Sequence, residues 1–301
     1  VINNLSPGLD IITAMALQPD GKLIAVGYTG TSSDFLVARY LTGVSGMTPQ
    51  SLNLSTRARV GTDANVLIAG FIISGADAKR VILRALGSSL SLGEMDVLAD
   101  PVLELHAPGG TIMTNDNWRD TQEQEIIDTT LQPPADQESA IVATLNPGSY
   151  TTVVRGKDNG SGLGLVELYD LDQVASELAN ISSRGFVAAG DDVMIAGLIF
   201  SGENNATAVV RGLGPSLSQF GIGDSLQDPI LDLYDANGAV IASDDDWRDS
   251  QEAALEASTL APADDREAAV LVQLTAGAYT AVLRGKDGTQ GIGLIEAYNL
   301  Q

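Results

Sequence analysis

An internal duplication constrains this chain more than any other feature. Residues 54–171 and 181–300 align nearly end to end at an offset of 127 to 129 residues. "RVILRALGSSLS" from Arg80 matches "AVVRGLGPSLS" from Ala208, and "DPVLEL" from Asp100 matches "DPILDL" from Asp228. "NDNWRDTQE" from Asn115 matches "DDDWRDSQE" from Asp244. "VVRGKDNGSGLGLVELYDL" from Val153 matches "VLRGKDGTQGIGLIEAYNL" from Val282. A period this long exceeds any solenoid unit and suits a complete domain. The 301 residues therefore divide into an N-terminal extension (1–45), a connector (46–53) and two homologous domains (54–173 and 174–301).

Each copy reads as β. "VLIAGFIIS" (Val66–Ser74), "RVILRAL" (Arg80–Leu86), "VLELHA" (Val102–Ala107), "SAIVATL" (Ser139–Leu145), "SYTTVVRG" (Ser149–Gly156) and "LGLVELYDL" (Leu163–Leu171) are short and alternating or β-branched. Turn signals such as "APGG", "NPGS" and "KDNGSG" separate them. The expected fold is all-β: two tandem antiparallel, jelly-roll-like sandwiches. One short helix per copy is expected near 121–129 and 250–258. Asp120 and Asp249 would cap it, with Glu123 and Glu252 completing a capping box.

The first 50 residues differ. "DIITAMALQ", "KLIAVGYTG" and "DFLVARYLT" predict a three-strand meander with a turn at Pro19–Gly21. Three strands are marginal alone, so the meander needs its own first sandwich or a neighbouring copy to pack on. In the second case it would add to an exposed sheet edge, and "GVSGMTPQS" (Gly43–Ser51) has the composition of a linker that permits either.

Composition narrows the function. Asp and Glu number 39 against 16 Lys and Arg, a formal charge of −23, with no Cys and one His. Thiol nucleophiles, disulfides and Cys-ligated zinc are excluded, and His-based chemistry has little room. Phosphate backbones and anionic lipid would be repelled, which excludes nucleic acid and membrane insertion as expectations. With 44% hydrophobic and 18% charged residues, the chain is nevertheless an ordered globular one. Starting at Val1, it is expected to be a processed mature chain or a fragment. An acidic, thiol-free composition fits a secreted protein.

The strand–turn core of each copy, "DPVLELHAPGGTIMTNDNW…SAIVATLNPGSYTTVVRG", resembles the bacterial pre-peptidase C-terminal domain. The likeness rests on the D-P-x-L-x-L strand, the Asx-rich turn before Trp, and the Gly148–Tyr150 and Gly277–Tyr279 strand starts. It covers about the last two thirds of each copy, and the inserted "WRDxQE" departs from the simplest pattern. This resemblance implies a secreted β-sandwich module of the kind appended to exported enzymes, some of which bind calcium. "AMALQPDGKLIAVGY…DFLVARYLTG" resembles a single delta-60 repeat, found in tandem in large secreted bacterial proteins. One repeat cannot close a propeller.

The strongest candidate site is the Asx cluster: Asn115, Asp116, Asn117 and Asp120, with Asp244, Asp245, Asp246 and Asp249 as counterparts. Clustered oxygen donors without nitrogen or sulfur suit calcium, which takes 6–8 oxygens. Asp136/Glu138, Asp264/Asp265/Glu267 and the acidic turns at Asp158 and Asp287 could add ligands. The same residues also fit metal-free turns, because Asn and Asp side chains bond nearby backbone. The three consecutive aspartates favour the second copy. Trp118 and Trp247 read as anchors that pack the helix, or as stacking platforms for sugars. Arg57/Arg184, Arg84/Arg211 and Arg155/Arg284 are expected to pair with internal acids. His106, replaced by Tyr234, reads as a half-exposed strand position. No nucleophile elbow, P-loop or dinucleotide fingerprint occurs, so no enzyme is expected. The sequence thus predicts an extracellular structural or adhesive protein that self-assembles through its N-terminal segment into a homopolymer. The alternative is a calcium-dependent module that binds polysaccharide or a cell-surface protein.

Overall fold

A computed structural model describes residues 10–17, 23–29, 35–40, 50–90, 95–172, 177–190, 192–201 and 205–300. The turn expected at Pro19–Gly21 and the connector up to residue 49 lie outside them. The fold is all-β. Strands β1 (Asp10–Leu17), β2 (Leu23–Thr29) and β3 (Phe35–Tyr40) form an antiparallel meander that is a sheet of its own.

The first copy contains β4 (Gln50–Val60), β5 (Leu67–Ser74), β6 (Lys79–Leu86), β7 (Pro101–Ala107), β8 (Gly110–Asn115), α1 (Glu123–Asp128), β9 (Ser139–Leu145), β10 (Gly148–Gly156) and β11 (Gly162–Asp170). The second repeats this order with β12 (Glu177–Val187), β13 (Met194–Ser201), β14 (Ala206–Leu213), β15 (Pro229–Tyr234), β16 (Val240–Asp244), α2 (Glu252–Ala257), β17 (Ala268–Leu274), β18 (Gly277–Gly285) and β19 (Gly291–Asn299). Two strands per copy, β4/β12 and β8/β16, escape the sequence reading. The connector expected to run through residue 53 ends earlier, because β4 begins at Gln50.

Alternation places the core. In β5, Leu67, Ala69, Phe71 and Ile73 are buried while the intervening residues are not, as the two-residue side-chain period of a strand requires. Strands β8–β7–β10–β5 form one layer of the first copy and β9–β6–β11–β4 the other. The second copy has the equivalent layers β16–β15–β18–β13 and β17–β14–β19–β12. One apolar cluster runs through both copies, from Leu103 and Ile141 to Leu231 and Val270.

The copies join edge to edge. β4, the last strand of one layer, pairs antiparallel with β13 from Arg57↔Ile195 to Gln50↔Ser201. β12 pairs reciprocally with β5 at Glu177↔Ser74 and Leu178↔Ile73. Each layer therefore continues into a layer of the other copy. β4 and β12 also bridge each other in parallel, at Ser51↔Leu178 and Arg59↔Phe186. Equivalent residues meet across this seam: the buried Thr56 and Ser183 hydroxyls, 127 residues apart, lie 2.7 Å from each other. Parallel strands that meet at equivalent positions place a pseudo-twofold axis along the strands, the geometry of an isologous dimer.

Small residues permit this approach. A Cβ added to Gly185 would stand 2.8 Å from the Ala58 Cβ, and one on Gly70 would meet the Ser182 hydroxyl at 2.7 Å. Ala58 and Gly185 are equivalents, so the axis has room for a single methyl group at this level.

The helices cover the outer edges differently from expectation. Each starts at Glu123 or Glu252 with Gln122 or Gln251 at the cap position and no side-chain cap bond. Asp120 stands too far upstream to reach the first helical amides and accepts a hydrogen bond from Asn117 Nδ2 at 3.0 Å instead. The Gln122 amide accepts from the Val142 N–H (3.1 Å) and donates to the Val142 carbonyl (2.8 Å). Gln251 does the same with Leu271 at 2.8 and 2.9 Å. These glutamines mimic a neighbouring strand on β9 and β17 and so blunt two sheet edges.

Gly185→Ala is expected to lower stability by about 1–3 kcal/mol through overpacking at the seam. Adding Ala58→Gly in the same chain should recover most of that loss. Urea unfolding of the two variants against the parent checks both halves, and a double variant no better than the single one would refute the one-methyl geometry.

Candidate metal centre

In each copy three chain segments converge at the β7 or β15 entry: the Asp before that strand, the Asx turn after β8 or β16, and the turn after β10 or β18. Backbone bonds fix the third to the first. Lys157 N donates to the Asp100 carbonyl and Lys286 N to the Asp228 carbonyl, both at 2.9 Å. The turn residues Asp158 (φ 52°) and Asp287 (φ 54°) are left-handed, a conformation Asp tolerates better than most residues.

The side chains then meet. Lys157 Nζ lies 2.7 Å from Asp116 and 3.7 Å from Asp100; Lys286 Nζ lies 2.7 Å from Asp245 and 3.8 Å from Asp228. These contacts use the Oδ2 atoms. The Oδ1 atoms of Asp100, Asp116, Asp228 and Asp245 are shielded from solvent and have no hydrogen-bond partner among the described residues. Burial raises the Asp228 pKa above the ordinary carboxylate value, Lys286 opposes the shift, and Asp245 and Asp246 add to it. Asp100 is raised in the same way, by burial first, against Lys157.

In the second copy, one oxygen each from Asp228, Asp245 and Asp246 fall within 4.8 Å of one another. One ion with calcium–oxygen distances of about 2.3–2.6 Å reaches three atoms so spaced. In the first copy Asn117 replaces Asp246, one charge fewer against the same lysine.

The eight expected ligands thus divide. Asp245 and Asp246 belong to the cluster, with Asp116 and Asn117 at the equivalent places. Asn115 and Asp244 are engaged elsewhere: both are buried and each accepts a backbone bond, from Ala140 N (3.0 Å) and Ala269 N (2.8 Å). They hold the Asx turn to β9 and β17. Asp120 and Asp249 sit outside the cluster, before the helices. Asp228 and Asp100 reach the site from a different segment, and the duplicated "DP" before a strand is the sequence signal that marks them.

The other acids proposed as ligands have structural work. Glu138 is fully buried and accepts from Gly87 N (2.8 Å), Ser89 N (3.0 Å), Ser89 Oγ (2.7 Å) and Ala135 N (3.2 Å). Glu267 accepts from Gly214, Ser216 and Asp264 in the same pattern. Asp136 and Asp265 pair with Arg119 and Arg248 at 2.6 Å. Those arginines lie over Trp118 and Trp247, whose rings are buried against helix residues Ile126 and Leu255. Arg84 and Arg211 pair with Glu167 and Glu296, and Arg155 and Arg284 with Glu104 and Asp232. Arg184 donates to the Ala64 carbonyl. His106 is half-buried on β7 and contacts Glu104 and Thr111.

No family model and no curated protein matches this chain. Among solved structures, PNGF-II matches in two crystal forms, over 99% and 98% of this chain, at 10% and 8% identity with TM-scores of 0.23 and 0.20. The chain spans 64% and 63% of the length of those chains. Likeness at this level carries no argument.

Asp244 yields a pH prediction. Burial raises its pKa, and the Ala269 and Ser250 hydrogen bonds only partly oppose the shift. A carboxyl whose folded pKa lies above its unfolded one contributes stability at low pH that is lost as pH rises through the folded value. Asp244→Asn installs the first copy's residue and removes that loss. It should raise neutral-pH stability by about 1 kcal/mol and flatten the decline above about pH 4. Urea midpoints across pH check this; a variant less stable at pH 7 would contradict it.

Proposed function

We propose that this chain is a non-catalytic structural or adhesive module of an extracellular bacterial protein. A calcium ion bound by Asp228, Asp245 and Asp246 would rigidify its second copy. One observation carries the reading: carboxylate oxygens of Asp228, Asp245 and Asp246 from two distant segments fall within 4.8 Å of one another, and Asp228 Oδ1 and Asp245 Oδ1 are shielded with no hydrogen-bond partner among the described residues. Calcium would add to the positive charge that Lys286 already supplies and tie the entry of β15 to the turn after β16. Support for a non-catalytic role comes from the recurring acids, most of which are bound to backbone amides or arginines. The likeness to secreted β-sandwich modules fits the same assignment.

Calorimetric titration of the full chain with calcium should show about one equivalent and a raised Tm, because a ion that binds only the folded state stabilises it. Asp228→Asn and Asp246→Asn should each abolish both effects. Identical thermal curves with calcium and with chelator would rule the site out.

A second reading, assembly into a homopolymer, draws on a different observation. The β1–β3 meander is a separate sheet, while β8 and β16 are outer edges that expose Ile112 (48%) and Val240 (55%). A strand from a neighbouring copy would complete such an edge. Removing residues 1–45 should abolish polymers seen by negative-stain microscopy and leave folded monomers; polymers that survive the deletion would exclude this route.

A further inference from the structure

Lys79 opens β6 with its side chain fully removed from solvent. Its Nζ lies 2.5 Å from Asp170 Oδ2, at the end of the adjacent strand β11, and 3.3 Å from Asp172 Oδ1. The Asp170 side chain is 5% exposed and that of Asp172 25%. Each carboxylate is oriented by a backbone amide. Asp172 N donates to Asp170 Oδ1 at 3.1 Å, and Arg80 N donates to Asp172 Oδ2 at 2.6 Å.

We propose that Lys79 and Asp170 are joined by an intramolecular amide bond that forms spontaneously after folding, with Asp172 as the proton-transfer group. Asp172 accepts a proton from the ammonium, and the neutral amine attacks Asp170 Cγ. The Nζ–Cγ bond forms and the Cγ–Oδ2 bond breaks. Two of the three ammonium protons depart with Oδ2 as water, so an ammonium and a carboxylate become a neutral amide. The Asp172 N–H faces the oxygen that carries charge in the tetrahedral intermediate, as an oxyanion donor does. Fixing amine and acyl carbon on hydrogen-bonded strands supplies the proximity that makes such a condensation fast. Burial also raises the Asp170 pKa, against the hydrogen bond to Lys79, which favours the neutral acid that an amine can attack. The partial exposure of Asp172 gives the departing water a way out.

The second copy supplies an internal contrast. Alignment places Ala206, Asn299 and Gln301 opposite Lys79, Asp170 and Asp172, so all three members change together. The backbone bond between the strand ends is kept: Leu171 N to Arg80 O at 2.9 Å and Leu300 N to Thr207 O at 2.8 Å. The fold therefore does not require the triad, whereas the chemistry requires all of it. In a chain without cysteine the amide would be a covalent staple, closing a long loop as a disulfide does.

The test is the denatured intact mass of the purified full chain. The expected result is a deficit of one water, with a branched peptide after digestion that contains both Lys79 and Asp170. Lys79→Met should restore the full mass. Asp172→Asn should keep the circular-dichroism spectrum and slow cross-linking by about 10²-fold or more, an effect that a merely structural role would not produce. A full-mass parent chain, or a deficit mapped to other residues, overturns the proposal and leaves a buried ion pair. An Asp172→Asn chain that cross-links at the parent rate overturns the role given to Asp172.

Discussion

The seam along β4 and β12 is the contact on which the rest of this structure depends. A lone copy would present two bare strands, β4 and β5, at one end of its layers, and unpaired strand edges invite unwanted partners. Edge-to-edge joining satisfies those backbone groups and lets one apolar cluster pass through both copies. A larger shared core buries a greater fraction of surface than two small ones. The cost is steric. Strands that meet near a pseudo-twofold axis confront their own equivalents, which explains a Ser/Thr pair, a Gly/Ala pair and two Gly/Ser contacts there in place of large aliphatics.

Once the inner edges are spent on each other, the outer ones need separate treatment. Gln122 and Gln251 close β9 and β17 with one amide each. β8 and β16 have no such cap among the described residues, but each carries a register shift, between Leu105 and His106 and between Leu233 and Tyr234 in their partner strands. A bulge at an edge bends the strand and shortens the ladder open to a newcomer. Any strand added there meets a short platform and must draw on the exposed Ile112 or Val240 as well as on backbone bonds.

Much of this was legible in the sequence because alternation and repetition are both local signals. β5 and β7 show the period of two, β6 and β9 to β11 read as short apolar or β-branched runs between turn signals, and the offset of 127 reveals the duplication without any structural knowledge. β4 was harder. In "QSLNLSTRARV" the outward positions are Ser and Arg, and Gln50–Asn53 abut a Gly-, Pro- and Ser-containing stretch, so the strand start looked like linker. Its function as a seam depends on a distant partner, which no local pattern announces. The capping box failed for a similar reason. Asp120 and Glu123 have the right spacing, but the helix starts later because Gln122 is committed to β9, a tertiary bond that overrides a local preference. The Asx cluster lies where Asp228 meets Asp245 and Asp246, but Asp244 within it is bonded to Ala269 N instead. Proximity along the chain favoured Asn115 and Asp120 over Asp100, which reaches the same spot from another strand.

Differences between the copies carry as much information as their likeness. The buried hydrogen-bond acceptors Glu138 and Glu267 recur unchanged, as does the Arg84–Glu167–Tyr169 group in Arg211–Glu296–Tyr298, so these belong to the fold. Asn115 and Asp244 do the same backbone work with different charge. The amide serves at no titration cost, whereas the carboxylate must be desolvated, so the second copy holds more negative charge than its scaffold needs. That excess lies beside Asp245 and Asp246, where a cation would offset it. Lys79 departs from the scaffold in the opposite sense. It is a buried cation that the second copy does without, matched to two acids that the second copy also lacks. A charge retained by the fold appears in both copies; one that appears in a single copy, together with all of its partners, requires a reason beyond folding.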